Sequence, residues 1–382
     1  MQHCIFALVG KNTKFNCITG RLFVAFVVEE NLSKRINSLR FLLIVFLVII
    51  HNGISVKSFA GRNIEAVIPA YVENVQRFIG IITAIAVPMF FLFSAYLLFI
   101  REQQYNSVLR KKCRTILLPY FLWNLLLVLF YFLMQSLPYI KQFFSSSPEN
   151  MIKNYGIIDW IDVFVGKFTE RREYKYPFVY QFWFLRDLFI LNIFFVGIKK
   201  LVDKFPLGTF VLSLILWINN INLYIVSPEA LLFFSLGYYV VKYNLNIENI
   251  DKIKTMDLSV IYGITIILEY FFINDMPVLH KINIIIGCMF FLKISRCFIE
   301  NIKLYKILAW LEKYQFFVYA VHGIIISQLL KIYIRIIPLN GIFILFGYFF
   351  MILFGVIISL IFGIIFKKLF PKTNGILTGG RV

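Results

Sequence analysis

The chain has 382 residues, 60% of them hydrophobic, a mean hydropathy of +0.79 and a formal net charge of +19. Soluble domains are roughly 45–50% apolar, so this composition excludes an ordinary water-soluble fold. The 39 Lys and Arg against 20 Asp and Glu would suggest nucleic acid in a soluble protein. Here they fall in short loops between apolar runs, as charges do in membrane proteins, and nucleic acid is set aside as a partner.

In chain order, residues 1–28 are weakly apolar, without a signal-peptide layout or a small-residue cleavage site. They read as an extension upstream of a single membrane domain at 29–370, followed by a cytoplasmic tail at 371–382. Apolar runs begin near Ile36, Phe78, Thr115, Trp183, Gly208, Ala230, Leu258, Lys281, Gln315 and Gly341. Each is about 15–25 residues, the length that crosses a hydrocarbon core of about 30 Å as a helix. Lipid offers backbone groups no hydrogen-bond partner, so such runs must be helical. The expected fold is all-α and polytopic, with about ten transmembrane helices.

Basic residues concentrate in the loops at 101–114, 199–204, 242–257 and 293–313 and after Lys367. The opposite loops hold fewer: Lys57, Arg62, Arg77, Lys281, Lys331 and Arg335. Both termini are therefore expected in the cytoplasm. The stretch 137–181, with six basic and five acidic residues, becomes a long external loop. Cys4, Cys17, Cys113, Cys288 and Cys297 show neither metal-ligand spacing nor a paired framework.

The first run, INSLRFLLIVFLVIIHNG, places Arg40 and His51 at its two ends. Eleven residues turn a helix through about 1100°, close to three full turns, so both lie on one face about 16 Å apart. Ionisable residues on a spanning helix are costly and mark function by default; the structural alternative is a cytoplasmic anchor and a boundary residue. Histidine accepts a hydroxyl proton near neutral pH, which suits acyl transfer, and arginine holds anionic groups. A Gly-x-Ser-x-Gly turn, a phosphate-cradling Gly loop and a metal-suited cluster are all missing. That argues against a serine hydrolase, an ATPase and a metalloenzyme.

With these residues in place, the chain resembles the membrane acyltransferase 3 family, which adds O-acyl groups, often acetyl, to surface polysaccharides, lipid-linked sugars and peptidoglycan. Arg40-x10-His51 fits the family's first-helix signature, and MFFLFSAYLL resembles its second, with Ser94 and Tyr96 matching and Ala95 in place of the usual glycine. That alanine suggests slightly wider helix packing. RKKCRTILLPYFLWN is similar to the family's basic loop and Pro-led helix, with Lys111 and Arg114 for its Arg-x-x-Arg pair. YQFWFLRDLFILN contributes Trp183, Arg186 and Asp187, FFSLGYYV carries Gly237, FFVYAVHGIII gives Tyr319 and His322, and LTGGR resembles some endings. The structural alternatives are an interfacial aromatic for Trp183, an ion pair for Arg186 and Asp187, and topology signals for Lys111, Lys112 and Arg114. His3 and His280 are read as incidental, in a tail and a loop.

The resemblance implies transfer from acyl-CoA, acetyl-CoA above all, to a hydroxyl of a surface or lipid-linked saccharide, in the inner (cytoplasmic) membrane, without a tightly bound cofactor or metal. His51 is the expected base and Arg40 its support. Lys111, Arg114, Ser94, Tyr96, Trp183, Arg186, Asp187, Tyr319 and His322 are the expected substrate- and CoA-binding residues. Membrane lipid and separate glycan-assembly enzymes are the other expected partners. The rival readings are a carrier or flippase for lipid-linked sugars, and a polysaccharide polymerase using the 137–181 loop. One geometric tension stands: His51 lies nearer the outer side than Arg40, so the acyl group needs a deep cytoplasmic cleft or a relay to reach it.

Overall fold

The computed structural model describes residues 15–53, 68–101, 103–141, 144, 151–166, 176–221, 223, 226–337 and 340–380, with the backbone alone for 15–30. Lys57, Arg62, residues 1–14 and part of the 137–181 segment lie outside the described residues. The chain is all-helical: α1 (Phe15–Ile50), α2 (Ala70–Thr83), α3 (Ala86–Phe99), α4 (Tyr105–Lys112), α5 (Leu118–Ser136), α6 (Ile157–Val165), α7 (Trp183–Ile193) and α8 (Phe195–Lys204). Then come α9 (Pro206–Ile218), α10 (Pro228–Lys242), α11 (Thr255–Phe272), α12 (Val278–Glu300), α13 (Ile302–Glu312), α14 (Gln315–Ile336), α15 (Gly341–Leu369) and α16 (Pro371–Leu377). Strands are absent among the described residues.

Among those residues, six stretches are long and apolar enough to cross a membrane: Ala70–Phe99, Tyr105–Ser136, Thr255–Phe272, Val278–Glu300, Gln315–Ile336 and Gly341–Leu369. Tyr180–Ile193 and Phe195–Lys204, bent by 63°, make a seventh if they form one span. The chain is thus a multi-pass membrane protein, and among the described residues the spans number six or seven against the expected ten. The run near Gly208 is a helix of 13 residues and the run near Ala230 one of 15, short of the roughly 20 a span needs. In α1, Lys34, Arg35 and Arg40 interrupt the apolar stretch.

α1 is central and touches α2, α3, α12, α13, α14 and α15. Leu39, Leu43 and Val48 on it are fully buried. The wider packing expected from Ala95 does not occur. A Cβ on Gly237 of α10 would lie 2.6 Å from the Ala95 Cβ and 2.7 Å from the Leu92 carbonyl oxygen of α3. The small residue that permits close approach stands on the facing helix instead. Because backbone blocks the space, Gly237→Ala is expected to cost about 1–3 kcal/mol, read as a lower thermal midpoint of the detergent-solubilised protein.

Where it is described, the 371–382 segment packs against α5. Pro371 opens α16, and Trp123 Nε1 of α5 donates to the Leu377 carbonyl at 3.0 Å. Gly379 follows with φ +66°, and a Cβ there would meet the Thr115 carbonyl at 2.4 Å. Only glycine combines that left-handed backbone with that approach. Thr115 lies in a π-helical turn, Cys113–Leu117, that joins the basic helix α4 to α5.

Candidate functional site

The last described turn of α1 carries His51, whose backbone N–H donates to the Leu47 carbonyl at 3.0 Å. Its ring stacks on that of His322 from α14, with centroids 5.6 Å apart and planes inclined by 25°. The Tyr180 ring meets it edge-on at 4.9 Å. His322 is fully buried, and its Nδ1 lies 3.2 Å from the Val318 carbonyl oxygen. A carbonyl only accepts, so in the neutral ring Nδ1 carries the hydrogen and Nε2 keeps a lone pair. That Nε2 is buried without a hydrogen-bond partner among the described residues, a costly arrangement in an apolar interior and one that calls for an explanation.

A tight turn before α7 holds this pair in place. Gln181 Nε2 donates to the Ala320 carbonyl at 3.1 Å and the Tyr319 carbonyl at 3.3 Å. The Tyr319 hydroxyl donates back to the Gln181 carbonyl at 2.6 Å. Phe182 stacks on Tyr319 at 5.4 Å. Gly323 admits this approach, since a Cβ there would lie 3.0 Å from Gln181 Oε1.

A cleft of about 180 Å³ runs between α1, α3, α7 and α14, walled on α1 by Arg40, Ile44 and Leu47. Phe90 and Ser94 of α3 and Tyr319 of α14 also line it. Its polar residues gather at the Arg40 level, where Arg40 Nη1 donates to Glu312 Oε1 at 3.1 Å and to Asn37 Oδ1 at 3.1 Å. Gln315 Nε2 donates to the same Glu312 oxygen at 2.7 Å. Both members of the Arg40–Glu312 pair are about a quarter exposed, at 28% and 24%. Such a pair contributes about 1 kcal/mol or less and yields readily to another anion. Leu47 and Tyr319 lie one helical turn from His51 and His322, so the cleft leads from the arginine towards the imidazoles.

The other expected residues are placed elsewhere. Tyr96 lies on the face of α3 against α10, where its backbone nitrogen would be 2.9 Å from a Gly237 Cβ. Lys111 and Arg114 are exposed on α4 and the π-helical turn, outside the lining of this cleft. Half-buried Trp183 packs near Tyr176, with centroids 6.4 Å apart. Arg186 pairs with Asp187 at 3.2 Å and donates to the Val165 carbonyl at 2.7 Å. Asp187 accepts from the Ser227 N–H at 2.8 Å and so ties α7 to the start of α10. His280 sits in the first turn of α12, not in a loop, with its Nδ1 2.7 Å from Glu269 Oε1.

Tyr180, Gln181 and Glu312 belong to the neighbourhood but were not singled out in the sequence. Tyr180 and Gln181 open the YQFWFLRD segment, a signal only for a reader who knows what the turn packs against. Among the described residues, no group of three His, Cys, Asp or Glu side chains is placed to hold a metal ion.

The chain is 27% identical over 237 residues to a succinoglycan biosynthesis protein, ExoH, of Rhizobium meliloti (strain 1021), an alignment covering 59% of the chain and 58% of the relative. The chain thus spans little more than half the length of that relative. No solved structure matches it. The family model described as an acyltransferase domain matches residues 33–367, a stretch that contains the cleft and both imidazoles, and the chain therefore belongs to the acyltransferase 3 family of membrane enzymes.

Proposed function

We propose that the protein moves an acyl group, acetyl in the first instance, from acyl-CoA to a hydroxyl of a cell-surface or lipid-linked saccharide in the inner membrane. The observation that carries this reading is the cleft that starts at Arg40 and ends one turn from the stacked His51 and His322. The biosynthetic role in the name of the ExoH relative supports a polysaccharide acceptor. Basic residues near the Arg40 level suit the donor's phosphates: Arg296 is exposed beside Asp251, and Lys367 lies over Tyr314 at 5.4 Å.

On this reading the acyl thioester lies along the apolar walls, with CoA phosphate drawing Arg40 away from Glu312. His51 removes the proton of the sugar hydroxyl as its oxygen bonds to the thioester carbonyl carbon. The carbon–sulfur bond breaks, and the thiolate leaves with the proton as CoA-SH. The Nε2 lone pair of His322 keeps a second proton acceptor beside His51. Such a cleft meets the need for the acyl group to reach His51 from the cytoplasmic side.

The test is labelled acetyl-CoA supplied to membranes containing the protein. Label incorporated into glycan supports the transferase; glycan movement without incorporation supports the carrier instead. In the same assay Arg40→Ala is expected to raise KM for acetyl-CoA about tenfold or more, the scale of one charge-assisted phosphate contact. An unchanged KM would remove Arg40 from donor binding.

A further inference from the structure

Helix α13 connects two spans, α12 and α14, so both of its ends lie on one side of the membrane, the side of Arg40. With 11 residues it is about 16 Å long, too short to cross a hydrocarbon core of about 30 Å. It packs instead against α1 and α12, with Leu304, Leu308 and Leu311 half-buried. Lys303, Lys306, Ile307, Trp310 and Lys313 are related by steps of three and four residues and so share another face. All five are exposed, Ile307 at 56% and Trp310 at 44%. The carboxylates at the two ends of the helix are taken by arginines: Glu300 accepts from Arg296 Nε at 2.7 Å and Glu312 from Arg40 Nη1 at 3.1 Å. Among the described residues, none of the three lysines of this face pairs with a carboxylate.

We infer that α13 lies in the lipid headgroup layer and that Lys303, Lys306 and Lys313 form a docking surface for anionic phospholipid. Lysines interleaved with tryptophan and isoleucine are the pattern of an interfacial helix. The indole sits at headgroup level, the isoleucine enters the acyl boundary, and the lysine stems carry their ammonium groups up to the phosphates. Three unpaired cations, with both nearby carboxylates already matched by arginines, complement a net negative headgroup. Each such lysine is worth roughly fivefold in attraction to an anionic surface. A zwitterionic headgroup has no net charge to attract them. The inference goes beyond the acyl-transfer reading and does not rest on it.

Trp310 supplies the probe. The experiment places the full chain in phosphatidylcholine nanodiscs and adds a small fraction of phospholipid brominated on its acyl chains, which quenches nearby tryptophan fluorescence. The part of the signal missing from Trp310→Phe reports Trp310 alone. Brominated phosphatidylglycerol is expected to quench it at a mole fraction about tenfold or more below that needed of brominated phosphatidylcholine, and added salt to shrink the difference. Lys303→Gln, Lys306→Gln and Lys313→Gln together are expected to remove the preference while phosphatidylcholine quenching stays as it was, since exposed substitutions of this kind leave folding intact. Lys303→Arg, Lys306→Arg and Lys313→Arg together, which keep the charge, are expected to retain the preference. Equal quenching by the two lipids at low salt, a preference that survives the glutamine substitutions, or quenching by neither lipid would each overturn the inference. So would loss of the preference on adding saturating acetyl-CoA, which would assign the lysines to the donor instead.

Discussion

His51→Ala is expected to abolish acyl transfer while leaving the amount of protein in the membrane unchanged. Loss of a positioned general base typically costs about 10²–10⁴-fold in rate, which places the variant near background. The side chain packs against Tyr180 and His322 and, among the described residues, makes no side-chain hydrogen bond that anchors a helix, so its removal leaves the α1–α14 contact to the apolar residues around it. The measurement is incorporation of labelled acetyl groups, normalised to immunoblotted protein. Full incorporation by the variant would end the assignment of His51 as base.

The second large effect is on stability. Arg35 lies five residues before Arg40 on α1 and is 1% exposed. Its Nη1 and Nη2 donate to Asp251 Oδ2 at 2.9 Å and Oδ1 at 3.2 Å, its Nε donates to Ser295 Oγ at 2.9 Å, and Nη2 also donates to the Leu292 carbonyl. This fork joins α1 to the Ile247–Lys252 turn and to α12. Removing one member of a buried, hydrogen-bonded pair costs about 3–5 kcal/mol, because the other charge is left unmatched. Arg35→Ala is expected to fall near the lower end, since Arg296 Nη1 is still 3.9 Å from Asp251. Arg35→Lys should recover only part of the loss, as an ammonium cannot bridge both carboxylate oxygens and Ser295 together. Thermal unfolding in detergent measures this, and an unchanged midpoint for Arg35→Ala would show that the fork contributes nothing.

Arg35 also illustrates what the sequence conceals. Read along the chain, it is one more cation in a polar segment at the cytoplasmic end of a helix. Its partner Asp251 is 216 positions away, in a loop read only as topology-setting charge. Arg40 stood out because apolar residues follow it, yet its partner Glu312 is 272 positions away. The count of spans also needed the structure. Short apolar helices such as α9 look like spans by composition, and only their lengths and the 63° bend between α7 and α8 separate them.

By itself, the sequence determined that the chain is helical, multi-pass and charged at its loops, because lipid permits no other use for such apolar runs. It also determined that Arg40 and His51 share a face, because helical periodicity is a local property. Only the tertiary structure decided that His322 stacks on His51, that a turn at 180–182 clamps them, that Gly237 rather than residue 95 admits the close helix approach, and that a cleft leads from Arg40 towards the imidazoles. Those are meetings between side chains far apart in the chain, set by packing of many helices at once, and no spacing within a single helix encodes them.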